Sequence, residues 1–380
     1  MKYCVRCVLP ETKPDLTFNE KGVCDACQST ELKKRIDWKS RKKEFEKLIE
    51  KYRNKSGDNY DCIIPVSGGK DSYYQAYVCK VLYGLNPLLI SFEPTPFSRL
   101  GEKNLSNMTR VFGCDLIHFR KNPVVYVKLA RIAFERVGDH AWPNHVGINT
   151  TPVRIAVKFH VPLIVWGENT QLEYGGPEKD RLTTVFDRRY FEEYCGLLGN
   201  RIEDMVGVNG LTKQDLLPYT YPSETELSDN RVTGIFLGSF FRWNEAVQTN
   251  LMIKKCGFTI KKEPSLVKAH LHLKSLDDES VVTHDYLKFV KYGFDRVNDQ
   301  TSIAIRNNTM TREEGVRIVR KYSGKMDPKM LRVFLQHYGY TKSAFYRIAD
   351  SFTNKSLFET DRKGNLGRDA HGDLIRKFLP

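Results

Sequence analysis

The sequence predicts an α/β protein: a parallel sheet covered by helices, with a small cysteine-bound module before the sheet and a mostly helical region after it. Three observations lead there. Apolar runs of strand length alternate with helical patterns between residues 61 and 166. A glycine turn, Val66-Ser67-Gly68-Gly69-Lys70-Asp71-Ser72, directly follows the first of those runs, and two Cys-x-x-Cys pairs stand near the N-terminus.

Cys4-x-x-Cys7 and Cys24-x-x-Cys27 have 16 residues between them, the two-knuckle spacing that gathers four thiolates round one tetrahedral Zn²⁺. An all-cysteine set leaves no coordination position for water, so the expected role is structural. Two disulfides or free thiols are the alternative reading. Cys62, Cys79, Cys114, Cys195 and Cys256 are scattered among apolar residues and read as ordinary buried thiols. From Glu31 to Tyr52, Leu32, Ile36, Phe45, Leu48, Ile49 and Tyr52 recur at helical spacing in a charged background, which predicts a connecting helix with a solvated basic face.

Asp61 to Pro65 is the first strand, and a helix is expected over Tyr73 to Tyr83. Further strands are expected at Pro87 to Phe92, Asp115 to Phe119 and Pro162 to Trp166. Helices at Gly101 to Phe112, Pro123 to Val137 and Thr151 to His160 come between them. Residues 175–230 are irregular and rich in Gly, Pro, Asp and Arg, an insertion that would cover a site; Gly234 to Phe241 returns as a last strand. Helices then follow at Thr283 to Tyr292, Thr311 to Lys321, Asp327 to Tyr338 and Thr341 to Phe352, with Ser, Thr or Asp at their starts. The division expected is 1–30, a cysteine module; 31–56, a connecting helix; 57–261, the sheet domain; and 262–380, the helical region.

The glycine turn is built to cradle phosphates. Glycines allow tight turning and close approach of backbone to an anion, the N–H groups of Gly69, Lys70 and Asp71 lie at a helix start, and Ser67, Ser72 and Lys70 add donors and charge. A Walker A loop would need another glycine five residues before Gly69 and Ser or Thr after the lysine. Asp71 stands there instead, which argues against an ordinary phosphate-releasing NTPase. In parallel sheets ligands sit outside the carboxyl ends of the strands, so this loop and Gly167-Glu168-Asn169 are expected to face one ligand. A formal charge of +14 suits ATP and nucleotide-linked sugars, and equally RNA or an acidic protein. No apolar run approaches the roughly 18 residues needed to span a bilayer, and the N-terminus lacks the apolar core of a signal peptide, so a cytoplasmic enzyme is expected.

The loop resembles the pyrophosphate (PP) loop of the N-type ATP pyrophosphatases, whose fold is the adenine-nucleotide alpha-hydrolase-like parallel sheet. With Val165 to Asn169, Gln171 to Pro177, Phe240 to Trp243 and His284 to Phe289, the chain resembles the N-acetyl sugar amidotransferase family of surface-polysaccharide biosynthesis. That resemblance implies an enzyme that adenylates the acetamido oxygen of an activated sugar with Mg-ATP, then lets ammonia displace AMP to give an acetamidino sugar. It also implies partners: a separate glutaminase and a cyclase-like subunit, similar to the two components of imidazole glycerol phosphate synthase. No glutaminase constellation is present in this chain.

On this reading Lys70 and the loop stabilise the departing pyrophosphate, and Asp71 and Glu168 hold Mg²⁺. Asn169 binds a phosphate or substrate, and Glu173 receives or positions a proton of ammonia. A helix N-terminal charge is the competing role for Asp71, and a salt bridge for Glu173. Substrate contacts are expected from His145, placed in a loop before a helix, from Arg242 and Trp243 on a diphosphate and a base or sugar face, and from Ser302 and Arg306 as an anion clamp. Nucleotide-diphospho diacetamido uronic acids and nonulosonic acids both suit as the sugar. The rival reading is a tRNA-modifying PP-loop enzyme that adenylates a base oxygen. Against it, the chain shows neither an RNA-binding module nor a second Cys-x-x-Cys near the strands to carry sulfur.

Overall fold

The computed structural model describes residues 1–261 and 276–380, so the expected start of the helical region at residue 262 lies outside the described residues. Strands β1 (Cys62–Pro65), β2 (Pro87–Phe92), β3 (Leu116–Phe119) and β4 (Leu163–Trp166) fall on the four apolar runs, and β6 (Thr233–Phe236) on the expected return. With β5 (Val185–Phe186) they form one sheet of order β3-β2-β1-β4-β6-β5, in which β5 alone runs antiparallel. Order reverses at β1, whose neighbours are β2 on one side and β4 on the other. A crevice between their carboxyl ends follows from that topology.

Both sheet faces are covered, which is why the strands read as continuous apolar runs. On one face Cys62, Ile64 and Leu89 pack with α2 (Trp38–Tyr52), α3 (Lys70–Ala76) and α4 (Arg99–Phe112) through Phe45, Tyr73 and Met108. On the other, Ile63, Leu88 and Ile164 meet Val153 and Ala156 of α6 (Trp142–Lys158). The longest core cluster joins α5 (Pro123–Val137) and α6 to the C-terminal helices through Leu129, Phe134, Trp142, Phe289, Phe334 and Phe345.

The connecting helix is in fact two helices. Helix α1 (Asp25–Arg35) ends before Ile36, and Asp37 starts α2 by accepting hydrogen bonds from the backbone N–H groups of Lys39 and Ser40. Helix α3 begins at Lys70, three residues earlier than expected, and continues as a π-helical turn over Tyr77–Leu82. Helix α6 begins at Trp142, nine residues before the expected Thr151, and carries Pro152 inside it. Burial of Trp142, Val146 and Val153 outweighs the prolines and Gly147 that read as breakers. The 175–230 segment holds short helices, α8 (Glu178–Arg181), α9 (Arg188–Tyr194), α10 (Lys213–Leu216) and α11 (Glu224–Asp229), after α7 (Thr170–Tyr174).

Helix α12 (Glu245–Cys256) completes the sheet domain, and α13 (Val281–Tyr292), α14 (Arg296–Arg306), α15 (Arg312–Tyr322), α16 (Pro328–Tyr338) and α17 (Lys342–Ser351) follow. After α17 the chain is not helical: it folds back through antiparallel bridges such as Phe358 with Arg376 and Thr360 with Leu366. The N-terminal module docks on the C-terminal helices. Val8 packs with Val297 and Val319, Asn298 donates to the Val8 carbonyl at 3.2 Å, and Arg312 to the Cys4 carbonyl at 3.2 Å. Among the described residues no helix is long and apolar enough to cross a membrane.

Candidate active site

The glycine turn lies between β1 and α3. Gly68 has φ +78°, and a Cβ there would stand 2.9 Å from the Gly101 carbonyl oxygen and the Leu105 nitrogen of α4, so glycine is required on both counts. Ser67 N–H donates to Ser72 Oγ at 3.0 Å, which closes the turn, while Gly69 is the N-cap of α3 and makes no side-chain cap. First-turn N–H groups of α3 are thereby left to an anion. Lys70 is buried, with Nζ 2.6 Å from Asp71 Oδ2 and 3.4 Å from Glu245 Oε1. A ligand phosphate would enter a site whose lysine is already balanced by carboxylates.

Across the crevice, Gln75 of α3 donates to the Val165 carbonyl of β4 at 2.9 Å and locks the two loop-bearing elements together. Gly167 and Glu168 leave β4 there. Ser67, Gly69, Lys70, Asp71, Ser72, Gly167 and Glu168 line one cavity of about 650 Å³, as expected from the strand ends. Glu168 accepts from Tyr174 Oη at 3.0 Å. Asp71 and Glu168 therefore share the cavity as hard oxygen donors of the kind Mg²⁺ takes.

A second cavity of about 550 Å³ adjoins the first, and His145, Thr170, Tyr174, Tyr194, Gly196 and Arg296 line both. Its other walls come from the N-terminal module (Lys13, Asp15), from Asp139 between α5 and α6, and from His284, Lys288 and Lys291 of α13. Lys288 pairs with Asp299 at 2.8 Å and Arg296 with Asp285 at 2.9 Å. Lys13 and Lys291 are held below the usual lysine range, chiefly by burial, and an incoming anion would relieve that. Tyr292 and Phe294 add aromatic faces. Sequence reasoning missed most of this chamber. His284 and Lys288 belong to the His284 to Phe289 motif, whose sequence alone assigns them no role, and Lys13, Asp139, Lys291 and Arg296 carry no local signal.

Several expected roles are corrected. Asn169 is 1% exposed and fully occupied by the fold: its Oδ1 caps α7 at the N–H groups of Gln171 and Leu172, and its Nδ2 donates to the Thr183 carbonyl at 3.0 Å. It is an organiser of the loop after β4, not a phosphate ligand. Glu173 lies outside both cavities and pairs with Lys33 of α1 at 2.7 Å. Arg242 is exposed and outside the cavities, and Trp243 is core, edge-on to Tyr74 at 5.4 Å. Ser302 is buried away from both cavities, and Arg306 is tied to the Glu173 carbonyl at 2.7 Å, so the two form no clamp on the site. His145 does line the cavities, from within α6 rather than from a loop, and burial pushes its pKa down to about 4. Cys195 is a wall of the first cavity, and burial raises its thiol to about 12, so it is no ready nucleophile.

The four N-terminal sulfurs lie within 4.8 Å of one another, all buried, with Cys4 to Cys27 at 3.9 Å and Cys7 to Cys24 at 3.6 Å. Sulfurs bound to zinc at about 2.3 Å stand about 3.8 Å apart at tetrahedral corners, whereas a disulfide needs about 2.05 Å. The donor set fits zinc. Gly175, two residues beyond Glu173, leaves no room for a Cβ beside Asp25 and Ala26 of α1, so the module presses directly on the loop that frames both cavities.

The sheet, its reversal at β1 and the glycine loop in the crevice define a PP-loop α/β protein. Residues 268–370 match the family model described as LPS biosynthesis protein WbpG-like, C-terminal domain. That stretch is thus similar to the WbpG-like C-terminal domain, and the family resemblance read from the motifs is borne out. It is 30% identical over 134 residues to Uncharacterized protein MJ1599 of Methanocaldococcus jannaschii, a match covering 35% of this chain and 47% of that relative. The chain thus spans about half the length of the curated relative it matches. Among solved structures, an NH3-dependent NAD synthetase from Campylobacter jejuni aligns with TM-score 0.30 and 12% identity over 52% of this chain and 93% of that one. NMN synthetase from Francisella tularensis aligns with TM-score 0.29 and 11% identity over 61% and 100%.

Proposed function

We propose that this protein is an ATP-dependent, AMP-forming ligase of surface-polysaccharide biosynthesis that converts the acetamido group of an activated N-acetyl sugar into an acetamidino group. One observation carries the reading: the cavity over the glycine loop and a second chamber of mixed Lys, Asp, His and aromatic lining adjoin, with His145, Tyr174 and Arg296 among the walls they share. The two compartments suit ATP on the loop side and a sugar acceptor beyond it, with the reacting amide at the junction. The stretch that matches the WbpG-like C-terminal domain supplies helix α13 and Arg296 to that second chamber, which supports the reading of an acceptor there.

An amide is a poor electrophile because its nitrogen donates into the carbonyl. Attack of its oxygen on the α-phosphate of ATP forms a C–O–P linkage, expels pyrophosphate and turns the oxygen into part of a good leaving group. The protein's share is positioning and charge: the loop N–H groups, Ser67 and Lys70 meet the pyrophosphate, and Asp71 and Glu168 would hold Mg²⁺, which neutralises phosphate charge when bound. Ammonia then displaces AMP. A separate glutaminase with a cyclase-like subunit would supply that ammonia.

The test is to supply Mg-ATP, ammonium and a panel of nucleotide-diphospho diacetamido uronic acids and N-acetylated nonulosonic acids, with AMP, pyrophosphate and sugar mass measured. A sugar about one mass unit lighter, in step with AMP, is expected. AMP release on tRNA and on no sugar would overturn the reading.

A further inference from the structure

At the wall between the α5–α6 turn and α13, His284 Nδ1 stands 2.9 Å from Asp139 Oδ1. Asp139 is 4% exposed, and the same oxygen accepts from the Ala141 N–H at 3.0 Å, so the carboxylate is fixed in place. The imidazole beside it keeps 18% of its side-chain surface and faces the second chamber, and none of the described residues hydrogen-bonds its Nε2. A carboxylate on Nδ1 selects the tautomer with the proton there, which leaves the Nε2 lone pair for a proton. His145 packs edge-on at 5.1 Å between the rings' centroids, and it lines both chambers, so the pair sits beside the junction. Burial keeps His145 neutral; burial opposes charge on Asp139, but the adjacent His284 outweighs it and holds the carboxyl well below the usual carboxylate range.

We infer that His284 is the base that takes a proton from the attacking nitrogen, with Asp139 as its positioning residue. The assignment rests on the amidine-forming reading above. Ammonia adds to the carbon of the O-adenylated amide and forms a C–N bond, giving a tetrahedral adduct with an –NH₃⁺ group. His284 Nε2 accepts one of its protons. The C–O bond then breaks, AMP leaves with the electron pair, and the amidinium remains; the imidazolium returns its proton to water. Without the base, the –NH₃⁺ adduct expels ammonia again more readily than AMP, so the step that needs His284 comes after adenylation.

That order makes the inference separable from the reading beneath it. Acceptor-dependent exchange of labelled pyrophosphate into ATP, without ammonium, reports adenylation alone; amidine formation with ammonium reports both steps. His284→Gln is expected to lower amidine formation by ~10²–10⁴-fold, the usual worth of a positioned base, while exchange changes by less than about fivefold. Asp139→Asn is expected to show the same split, and ¹⁵N imidazole spectra of that variant should show His284 moving from the Nδ1–H to the Nε2–H form. Exchange falling in proportion to amidine formation, or both rates staying at wild-type level, would overturn the assignment for His284; an unchanged ¹⁵N pattern in Asp139→Asn would overturn the role of Asp139. Wild-type enzyme that exchanges with none of the N-acetylated acceptors would instead remove the function itself.

Discussion

Lys70 and Glu173 are both catalytic candidates by their motifs, and their surroundings separate them. Lys70 is 3% exposed in the loop cavity, wedged between Asp71 and Glu245. Lys70→Ala should lower pyrophosphate release by ~10²–10³-fold, as for loss of a preorganised electrostatic donor. It should also cost about 1.5–3 kcal/mol of stability, the worth of hydrogen bonds to a charged group. Steady-state release and a denaturant melt check both, and wild-type turnover would remove the loop lysine from the mechanism. Glu173 is held by Lys33 with both side chains mostly buried, 11% and 13% exposed. For Glu173→Gln the expectation is therefore reversed: stability falls by about 2 kcal/mol, while kcat moves by less than about threefold. A large loss of kcat in a well-folded variant would return Glu173 to the chemistry.

At the scale of elements, the cysteine module is the part whose removal reaches furthest. Its four sulfurs replace a hydrophobic core that some 30 residues cannot supply. Through Arg312 on the Cys4 carbonyl, Val8 on Val297 and α1 on Gly175, the module is fastened to α14, α15 and the loop that frames the chambers, and it places Lys13 in the wall of the second chamber. Cys24→Ser should reduce zinc from about one per chain to a small fraction by elemental analysis. Amide exchange should rise over residues 1–35 and in α14 and α15 alike. Full zinc occupancy in the variant, or exchange confined to the first residues, would contradict that coupling.

For the whole molecule, buried titratable groups set the response to acid. Burial pushes His140 down to about 3 and His145 to about 4. Between pH 6.5 and those values the unfolded chain binds protons that the native protein refuses, so stability present above pH 6.5 is lost as pH falls. Asp295 acts in the opposite sense, because burial raises it to about 6 and the native state then binds the extra proton between pH 6 and about 4. His337, also held down by burial, adds to the fall, and Asp25, also raised by burial, adds to the opposing side; the three histidines outweigh the two carboxyls and leave a net fall. Tm should drop from pH 6.5 to pH 4, and His140→Gln should flatten that slope, since the variant has one group fewer to refuse a proton. A Tm that is level or rising toward pH 4 would contradict the balance.

The sequence by itself determined the layered α/β class, the order of the strands along the chain, the phosphate-cradling turn and the four-sulfur site. All of these are short-range: alternation of apolar runs, a heptapeptide whose glycine must take a positive φ, and a spacing of paired cysteines. Even Glu168 was legible, because strand ends in a parallel sheet share one side. Only the tertiary structure decided which polar residues face the ligand. Asn169 and Glu173 belong to the same short run as Glu168, yet one is consumed as a helix cap and the other by a lysine from the first helix. Trp243 and Ser302 are likewise drawn off by packing and Arg306 by the Glu173 carbonyl, while Arg242 faces solvent. The second chamber assembles Lys13, Asp139, His284 and Arg296 from four separated stretches, whose proximity depends on helix packing and the docking of the N-terminal module. No pattern within one stretch records such a meeting, because the contacts that bring these residues together are made by the apolar cores beneath them.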